Sequence, residues 1–83
     1  MPVVEVRYFA GAAAAAGTDA ERLSVDDGAT VDDLVRRLAE QRPALVPVLE
    51  VASVLLDEVA VRDRSAPLTD GAQVDVLPPF AGG

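Results

Sequence analysis

Apolar and polar residues alternate along five short stretches of the chain, a pattern that is typical of β-strands. The first stretch, residues 3–9, predicts a buried face made of Val4, Val6 and Tyr8. The opposite face carries charged residues and ends on the aromatic residue Phe9, which is either exposed or covered by a loop or helix. The other predicted strands span residues 21–25, 53–56, 59–62 and 73–77.

The last predicted strand, residues 73–77, alternates in the same way. Its two valines are expected to face the core, whereas Asp75 is expected to face water, with Leu77 on its side. If this strand and the first are neighbours at the centre of the sheet, Phe9 and Leu77 lie on one face. An apolar pair on an otherwise polar surface is typical of a docking site.

The longest helical pattern starts at Thr30 and ends before Pro43, since proline disfavours the helical conformation of the preceding residue. Apolar residues recur within it at helical spacing and predict a buried stripe made of Val31, Leu34, Val35, Leu38 and Ala39. The Thr30 hydroxyl is placed to accept a hydrogen bond from the Asp33 N–H, as in a capping box. The Ala-rich segment 11–17 and the interrupted segment 44–50 predict short helices. This order predicts a single small α+β domain in which a mixed sheet of about five strands packs on one main helix.

The chain ends on the sequence Leu77-Pro78-Pro79-Phe80-Ala81-Gly82-Gly83. The prolines cannot donate ladder hydrogen bonds, so the domain is expected to comprise residues 1–79. Residues 80–83 are expected to form a flexible tail, whose two glycines carry no side chain that would block a narrow cleft. A frayed terminus without a function is the alternative interpretation.

The side chains present limit the chemistry that this chain could carry out. It contains no His and no Cys, which excludes the usual zinc sites and the nucleophiles of Ser-His and thiol enzymes. All seven basic residues are Arg, so there is no lysine for a Schiff base or a phosphate-binding loop. We therefore single out the C-terminal carboxylate as the reactive group, and we expect no catalytic side chain, bound metal or bound cofactor.

The formal net charge of -7 argues against a nucleic acid or an anionic membrane as partner, because phosphates would be repelled. The charge favours a protein partner with a basic face, and solubility is an equally good explanation for it. The sequence contains no apolar run as long as a membrane span and no signal-peptide pattern. We therefore expect a soluble, cytoplasmic protein.

Two parts of the sequence resemble a known family. They are the start, Val6-Arg7-Tyr8-Phe9-Ala10 with the Ala-rich segment, and the end, Leu68-Thr69-Asp70-Gly71 to Pro78-Pro79-Phe80-Ala81-Gly82-Gly83. Both resemble the small subunit of molybdopterin synthase (the MoaD-like proteins), within the MoaD/ThiS family of ubiquitin-like sulfur carriers. The resemblance covers essentially the whole chain and implies a ubiquitin-like β-grasp fold. The chain departs from the family pattern at Ala72, where a second acid is frequent, and at Asp57-Glu58, where an Asn-Gly-like turn is frequent.

The resemblance implies that the C-terminus carries sulfur. An adenylyltransferase resembling ubiquitin-activating enzymes would use ATP to adenylate the Gly83 carboxylate, and a sulfur donor would convert it to a thiocarboxylate. The large subunit of molybdopterin synthase would then receive the tail residues Phe80, Ala81 and Gly82, and the sulfur would pass to cyclic pyranopterin monophosphate. The positions that resemble the family's partner-contacting residues are Phe9, Val61 and Leu77.

Other functions are compatible with the sequence. A sulfur carrier could serve another acceptor, in thiazole, cysteine or tRNA thiolation pathways. A ubiquitin-like modifier would be conjugated through Gly83 to lysines of target proteins, although it could not build chains on this lysine-free sequence. A β-grasp adaptor with an inert terminus is a further alternative.

Overall fold

The computed structural model describes residues 1–79 of the chain, which form a mixed sheet of five strands with helices packed on one face. The strands are β1 (Val3–Tyr8), β2 (Ala20–Ser24), β3 (Ser53–Leu56), β4 (Val59–Ala60) and β5 (Gln73–Leu77). The helices are α1 (Gly11–Ala16), α2 (Val31–Gln41), a short 3-10 helix (Pro43–Leu45) and α3 (Val46–Val51). The predicted α+β class is confirmed, as is the ubiquitin-like β-grasp arrangement of one main helix on a mixed sheet.

The first and last strands lie side by side at the centre of the sheet, whose strand order is β2-β1-β5-β3-β4. Strands β1 and β5 run parallel, with Val6 opposite Val74 and Arg7 opposite Asp75. The other pairings are antiparallel. Because parallel neighbours end at the same edge of a sheet, the residue that follows β1 lies beside the end of β5.

Helix α2 forms as its sequence predicts. The N–H of Asp33 donates to the Thr30 hydroxyl at 3.2 Å, and the N–H of Thr30 donates to the Asp33 carboxylate at 2.9 Å, which completes the capping box. The predicted stripe is confirmed, since Ala39 is half-buried and the buried residues are Val31, Leu34, Val35 and Leu38. It packs into one core with the inward valines of the three central strands, Val4, Val6, Val54, Val74 and Val76.

The short helices fill the remaining parts of the covered sheet face. Helix α1 ends at Gly17, whose φ of 76° supplies the left-handed cap. The predicted helical segment 44–50 is found as the 3-10 helix that continues into α3. Within residues 1–79, no helix is both long enough and apolar enough to span a membrane.

A partly buried polar cluster ties β1 to β2 and to the end of α2. The Tyr8 hydroxyl donates to the Glu21 carboxylate at 2.6 Å, and Arg42 Nε donates to the same oxygen at 3.0 Å. The pKa of Tyr8 is raised far above its ordinary value, mainly by burial and to a smaller extent by the hydrogen bond to Glu21. Burial alone would raise the pKa of Glu21, but the hydrogen bonds from Tyr8 and Arg42 outweigh it and lower that pKa.

The β3–β4 hairpin turns at Asp57 and Glu58, whose φ values of 49° and 71° are both left-handed. Two left-handed residues between antiparallel strands form a type I′ turn. Strand β4 ends at Ala60 and is shorter than the predicted segment 59–62. The physical reason lies in the next turn, where the Asp63 carboxylate accepts hydrogen bonds from Ser65 and bends the chain away from β3.

Candidate functional site

The chain leaves the sheet at the edge where Phe9 also lies. Strand β5 ends at Leu77, and Pro78 and Pro79 follow it outside the strand. We call the sheet face opposite the helices the outer face, and its central positions are Glu5, Arg7, Phe9, Gln73, Asp75 and Leu77. Phe9 and Leu77 therefore lie on one face beside the exit of the C-terminal tail, as expected from the pairing of the two strands.

The backbone on both sides of Phe9 is anchored, while its side chain is exposed. Phe9 retains 38% of its accessible surface, and its N–H donates to the carbonyl of Val76 at 3.2 Å. Its own carbonyl accepts from the N–H of Ala12, at the start of α1, at 2.9 Å. Between these two contacts Ala10 has φ 49° and ψ -124°, a conformation that is normally restricted to glycine. The fold thus fixes the position from which this aromatic ring is presented.

Asp75 was predicted to face water, and this prediction is wrong. Asp75 lies on the outer face but is only 4% exposed. Arg7, opposite it on β1, donates Nε to Oδ1 at 2.9 Å and Nη2 to Oδ2 at 3.1 Å. This forked pair satisfies both carboxylate oxygens, so the charge can be buried. Strand alternation indicates which face a residue occupies, and it does not show whether a long side chain from the next strand covers it.

The guanidinium of Arg7 also lies over the ring of Phe9, 5.4 Å from the ring centroid. A cation in this position is attracted by the negative face of the aromatic ring. The hydrogen bonds to Asp75 raise the pKa of Arg7 above its ordinary value, so the side chain stays charged. Asp75 therefore holds the Arg7 guanidinium by hydrogen bonds, and the guanidinium covers part of the Phe9 ring.

The sequence analysis did not assign Arg7 and Asp75 to the site. The available signal was a pair of opposite charges on the same face of two strands that were expected to be neighbours. The parallel register places these two residues directly opposite each other. Without the register, neither the pairing nor the burial of the carboxylate could be deduced.

Val61 is not brought together with Phe9 and Leu77. Its N–H donates to the carbonyl of Val54 at 2.8 Å, just beyond the end of β4, and its side chain packs partly against the core. Strands β5 and β3 lie between β4, which precedes Val61, and β1, which precedes Phe9. The interface role of Val61 stays a prediction.

The predicted tail residues Phe80, Ala81, Gly82 and Gly83 lie outside the described residues. Among residues 1–79, no three His, Cys, Asp or Glu side chains are grouped in a way that could hold a metal ion. The candidate site in the described part of the chain consists of an exposed aromatic ring, a half-buried leucine and an ion pair at the exit of the tail.

Comparisons with known proteins agree on the family of this chain. The model of the ThiS family matches residues 6–83. The chain is 34% identical over 82 residues to the molybdopterin synthase sulfur carrier subunit of Chlamydomonas reinhardtii, and the match covers 96% of this chain and 98% of that protein.

Two solved structures are similar over almost their whole length. The small archaeal modifier protein 1 (SAMP1) from Methanosarcina acetivorans has a TM-score of 0.85 at 27% identity, and the match covers 100% of this chain and 98% of that chain. A chain in the complex of subunits 1 and 2 of the molybdopterin-converting factor from Helicobacter pylori has a TM-score of 0.74 at 26% identity, covering 98% of this chain and 99% of that chain. With the family match over residues 6–83, these similarities show that the chain belongs to the ThiS family, among the MoaD-like members of the ubiquitin-like sulfur carriers.

Proposed function

We propose that this protein is the sulfur carrier subunit of a molybdopterin synthase, with Gly83 as the residue that carries the sulfur. The observation that carries the proposal is the placement of Phe9 and Leu77 beside the exit of a tail that ends on two glycines. This arrangement combines a surface for binding a partner with a terminus slim enough to enter it. The name of the Chlamydomonas reinhardtii relative supports the same assignment.

The partner in this proposal is the large subunit of the synthase, which would cover the outer face. Four extended residues after Pro79 reach roughly 13–14 Å, so the cleft that receives Gly83 must lie close to the end of β5. Ordering the tail costs about 1–2 kcal/mol of backbone entropy per residue, so the affinity must come from the surface around Phe9 and Leu77. The Helicobacter pylori complex of two molybdopterin-converting factor subunits supports a partner of this kind.

Other proteins would catalyse the loading of the terminus. An adenylyltransferase resembling ubiquitin-activating enzymes joins the Gly83 carboxylate to the AMP part of ATP and releases pyrophosphate. A sulfur donor then displaces AMP, which leaves a thiocarboxylate. Within the synthase each loaded carrier passes one sulfur to cyclic pyranopterin monophosphate, and water hydrolyses the acyl group to restore the carboxylate. Two loaded carriers are therefore used for each molybdopterin, because its dithiolene contains two sulfurs. The chain itself contributes the acyl group and the binding surface.

The test has two stages. The intact mass is measured after incubation with an activating enzyme, ATP and a sulfur donor, and exchange of one oxygen for sulfur at the terminus is expected. The loaded protein is then mixed with a large subunit and cyclic pyranopterin monophosphate, and molybdopterin is expected as the product. Absence of product with a large subunit that works with its own carrier would refute the synthase assignment. Transfer to a thiazole, cysteine or tRNA acceptor alone would point to a carrier of another pathway.

A second candidate function is protein modification through Gly83, which the similarity to the archaeal modifier supports. In that case the adenylated terminus would be joined to lysine amines of other proteins. Isopeptide-linked adducts, detected by mass spectrometry in cells that produce the tagged protein, would establish this function. A thiocarboxylate without such adducts would favour the carrier.

A further inference from the structure

We propose that Arg7 and Asp75 position the ring of Phe9 for partner binding, which makes Arg7 a positioning residue of the outer face. The inference rests on the proposed function, because it takes the outer face as the surface that the large subunit covers. It concerns the Arg7–Asp75 ion pair, whose presence is not explained by the stability of the fold alone.

The first step is the energetic status of the pair. Asp75 is 4% exposed and lies in β5 between Val74 and Val76, which both point into the core. Only the Asp75 end of the pair is buried, because the Arg7 side chain is 39% exposed. Apolar residues can replace buried ion pairs at little or no cost, so stability does not by itself require a charged pair here. What the pair does provide is orientation. The two parallel hydrogen bonds of 2.9 and 3.1 Å fix the plane of the guanidinium.

The second step is the transfer of this orientation to Phe9. The ring is not held by burial, because 38% of the residue surface is exposed, and its nearest fixed cation is the Arg7 guanidinium at 5.4 Å. The backbone of Phe9 is anchored at Val76 and Ala12. With the backbone fixed by hydrogen bonds and the ring held against Arg7, the aromatic anchor is ordered before the partner arrives. Pre-ordering one such side chain is worth roughly two- to tenfold in affinity.

The third step concerns the chemistry of the partner surface. Two N–H groups of Arg7 donate to Asp75 within residues 1–79, and the side chain of Arg7 remains 39% exposed. When a partner covers the outer face, the other N–H groups of Arg7 need oxygen acceptors, because buried donors without partners are costly. The partner that fits is therefore a protein with an apolar pocket for the Phe9 ring, rimmed by carbonyl or carboxylate oxygens that face Arg7.

The experiment compares purified variants for binding to the large subunit by surface plasmon resonance. The double variant Arg7→Met/Asp75→Leu removes the ion pair while keeping similar volumes, so it is expected to fold. Its affinity should fall by roughly two- to tenfold, because the Phe9 ring must then be ordered when the partner binds. The dependence of the association rate on salt should stay as in the wild type, because the double variant removes one charge of each sign and leaves the net charge unchanged.

The matched control is Arg36→Leu, which removes one positive charge from the solvent side of α2, where Arg36 pairs with Asp33 at 2.5 Å. It is expected to bind like the wild type. Arg7→Lys keeps the charge and loses the planar fork, so its affinity should lie closer to that of the double variant than to that of the wild type. Thermal unfolding of each variant checks that the compared proteins are folded.

A double-mutant cycle separates positioning from a general structural effect. Phe9→Leu removes the ring on which Arg7 acts, so adding the Arg7→Met/Asp75→Leu change to it should cause a smaller loss of affinity than the same change causes in the wild type. A merely structural role would give the same additional loss in both backgrounds, and that result would overturn the inference.

The remaining outcomes separate this inference from the proposed function. If Phe9→Leu weakens binding and Arg7→Met/Asp75→Leu does not, the positioning role of Arg7 is refuted. The outer face would then still be the surface that the large subunit covers. If neither variant changes binding, the large subunit does not use the outer face, and the inference fails with that assignment. If the wild type neither binds a large subunit nor supports molybdopterin formation, the proposed function is refuted and the inference with it.

Discussion

At the scale of single residues, Tyr8 offers a titration that can be observed without interference. It is 3% exposed and donates a short hydrogen bond to Glu21, and its pKa is raised by this burial and by the hydrogen bond. The chain has one tyrosine, no cysteine and no lysine, so no other side chain type titrates between about pH 9 and pH 12. Phenolate absorbance is therefore a direct reading of this one group.

Alkaline pH should destabilise the fold through Tyr8. Because its folded-state pKa lies above the ordinary value of 10.0, the native state binds the proton more tightly than the unfolded state. The stability that it contributes is thus fully present below pH 10.0 and is lost as the pH rises towards the folded-state pKa. We expect the free energy of unfolding, measured in urea, to fall above pH 10.0, with phenolate absorbance appearing only as the protein unfolds. Tyr8→Phe should show no such fall, and a folded protein titrating at the ordinary value would contradict this account.

Ala10 is a second residue whose environment yields a prediction. Its φ of 49° with ψ of -124° costs a side-chain-bearing residue about 1–3 kcal/mol, and glycine adopts it without strain. Ala10→Gly should therefore raise the free energy of unfolding by about 1 kcal/mol, after allowing for the greater freedom of glycine in the unfolded chain.

The control for Ala10→Gly is the same substitution within α1. Ala14 is exposed in the middle of that helix, so Ala14→Gly should lower the free energy of unfolding by about 1 kcal/mol. Chemical denaturation of both variants should give changes of opposite sign. A loss of stability in Ala10→Gly would show that the backbone at residue 10 is not strained.

Single residues also mark the limit of what the sequence could predict for the site. The exposed face and the neighbours Phe9 and Leu77 follow from strand alternation and from the pairing of β1 with β5. The burial of Asp75 does not follow, because it depends on Arg7 reaching across from the opposite residue of the next strand. The strain at Ala10 could not be predicted either, since alanine carries a Cβ and does not mark a position of positive φ in the sequence.

At the scale of elements, local signals were sufficient where an element is stabilised by its own sequence. Helix α2 forms with the predicted cap and stripe because both depend on neighbours three or four residues away. Strand β4 is shorter than predicted because the turn at Asp63 competes with continued pairing to β3. The competing hydrogen bonds join Asp63 to Ser65, only two residues away, and the alternation of apolar and polar residues does not reveal them.

The β3–β4 hairpin carries the prediction that belongs to this scale. Its type I′ turn places Glu58 at φ 71°, where a side chain costs about 1–2 kcal/mol, while glycine is favoured. Glu58→Gly should therefore raise the free energy of unfolding by about 1 kcal/mol. Asp57 must be kept, because its carboxylate accepts the N–H of Gln73 at the start of β5 at 2.9 Å. Asp57→Gly loses this bond and should gain less, so equal gains in thermal unfolding would contradict the account.

At the scale of the whole molecule, the topology explains why Phe9, Leu77 and the exit of the tail lie at one edge of the sheet. The parallel pair β1 and β5 is central, so the residue after the first strand and the exit of the last strand occupy the same edge and face. The helices cover the opposite face and form the core with the inward residues of the strands. The scaffold is therefore stabilised from one side, and the other side stays available for the partner that we propose.

This division predicts that the terminus can be changed without cost to the fold. Deleting Gly83 should leave thermal unfolding unchanged, because strand pairing ends with Leu77 opposite Ser53, and should abolish thiocarboxylate formation in the intact-mass assay. Truncation after Pro79 should give the same two results, whereas truncation after Val76 removes Leu77 from the ladder and should lower the melting temperature. If the chain without Gly83 is still loaded with sulfur, the reacting carboxylate does not require the second glycine. The assignment of Gly83 as the sulfur-carrying residue would then be wrong. Unchanged stability combined with lost loading would place the chemistry in the tail, which the fold of residues 1–79 does not need for its stability.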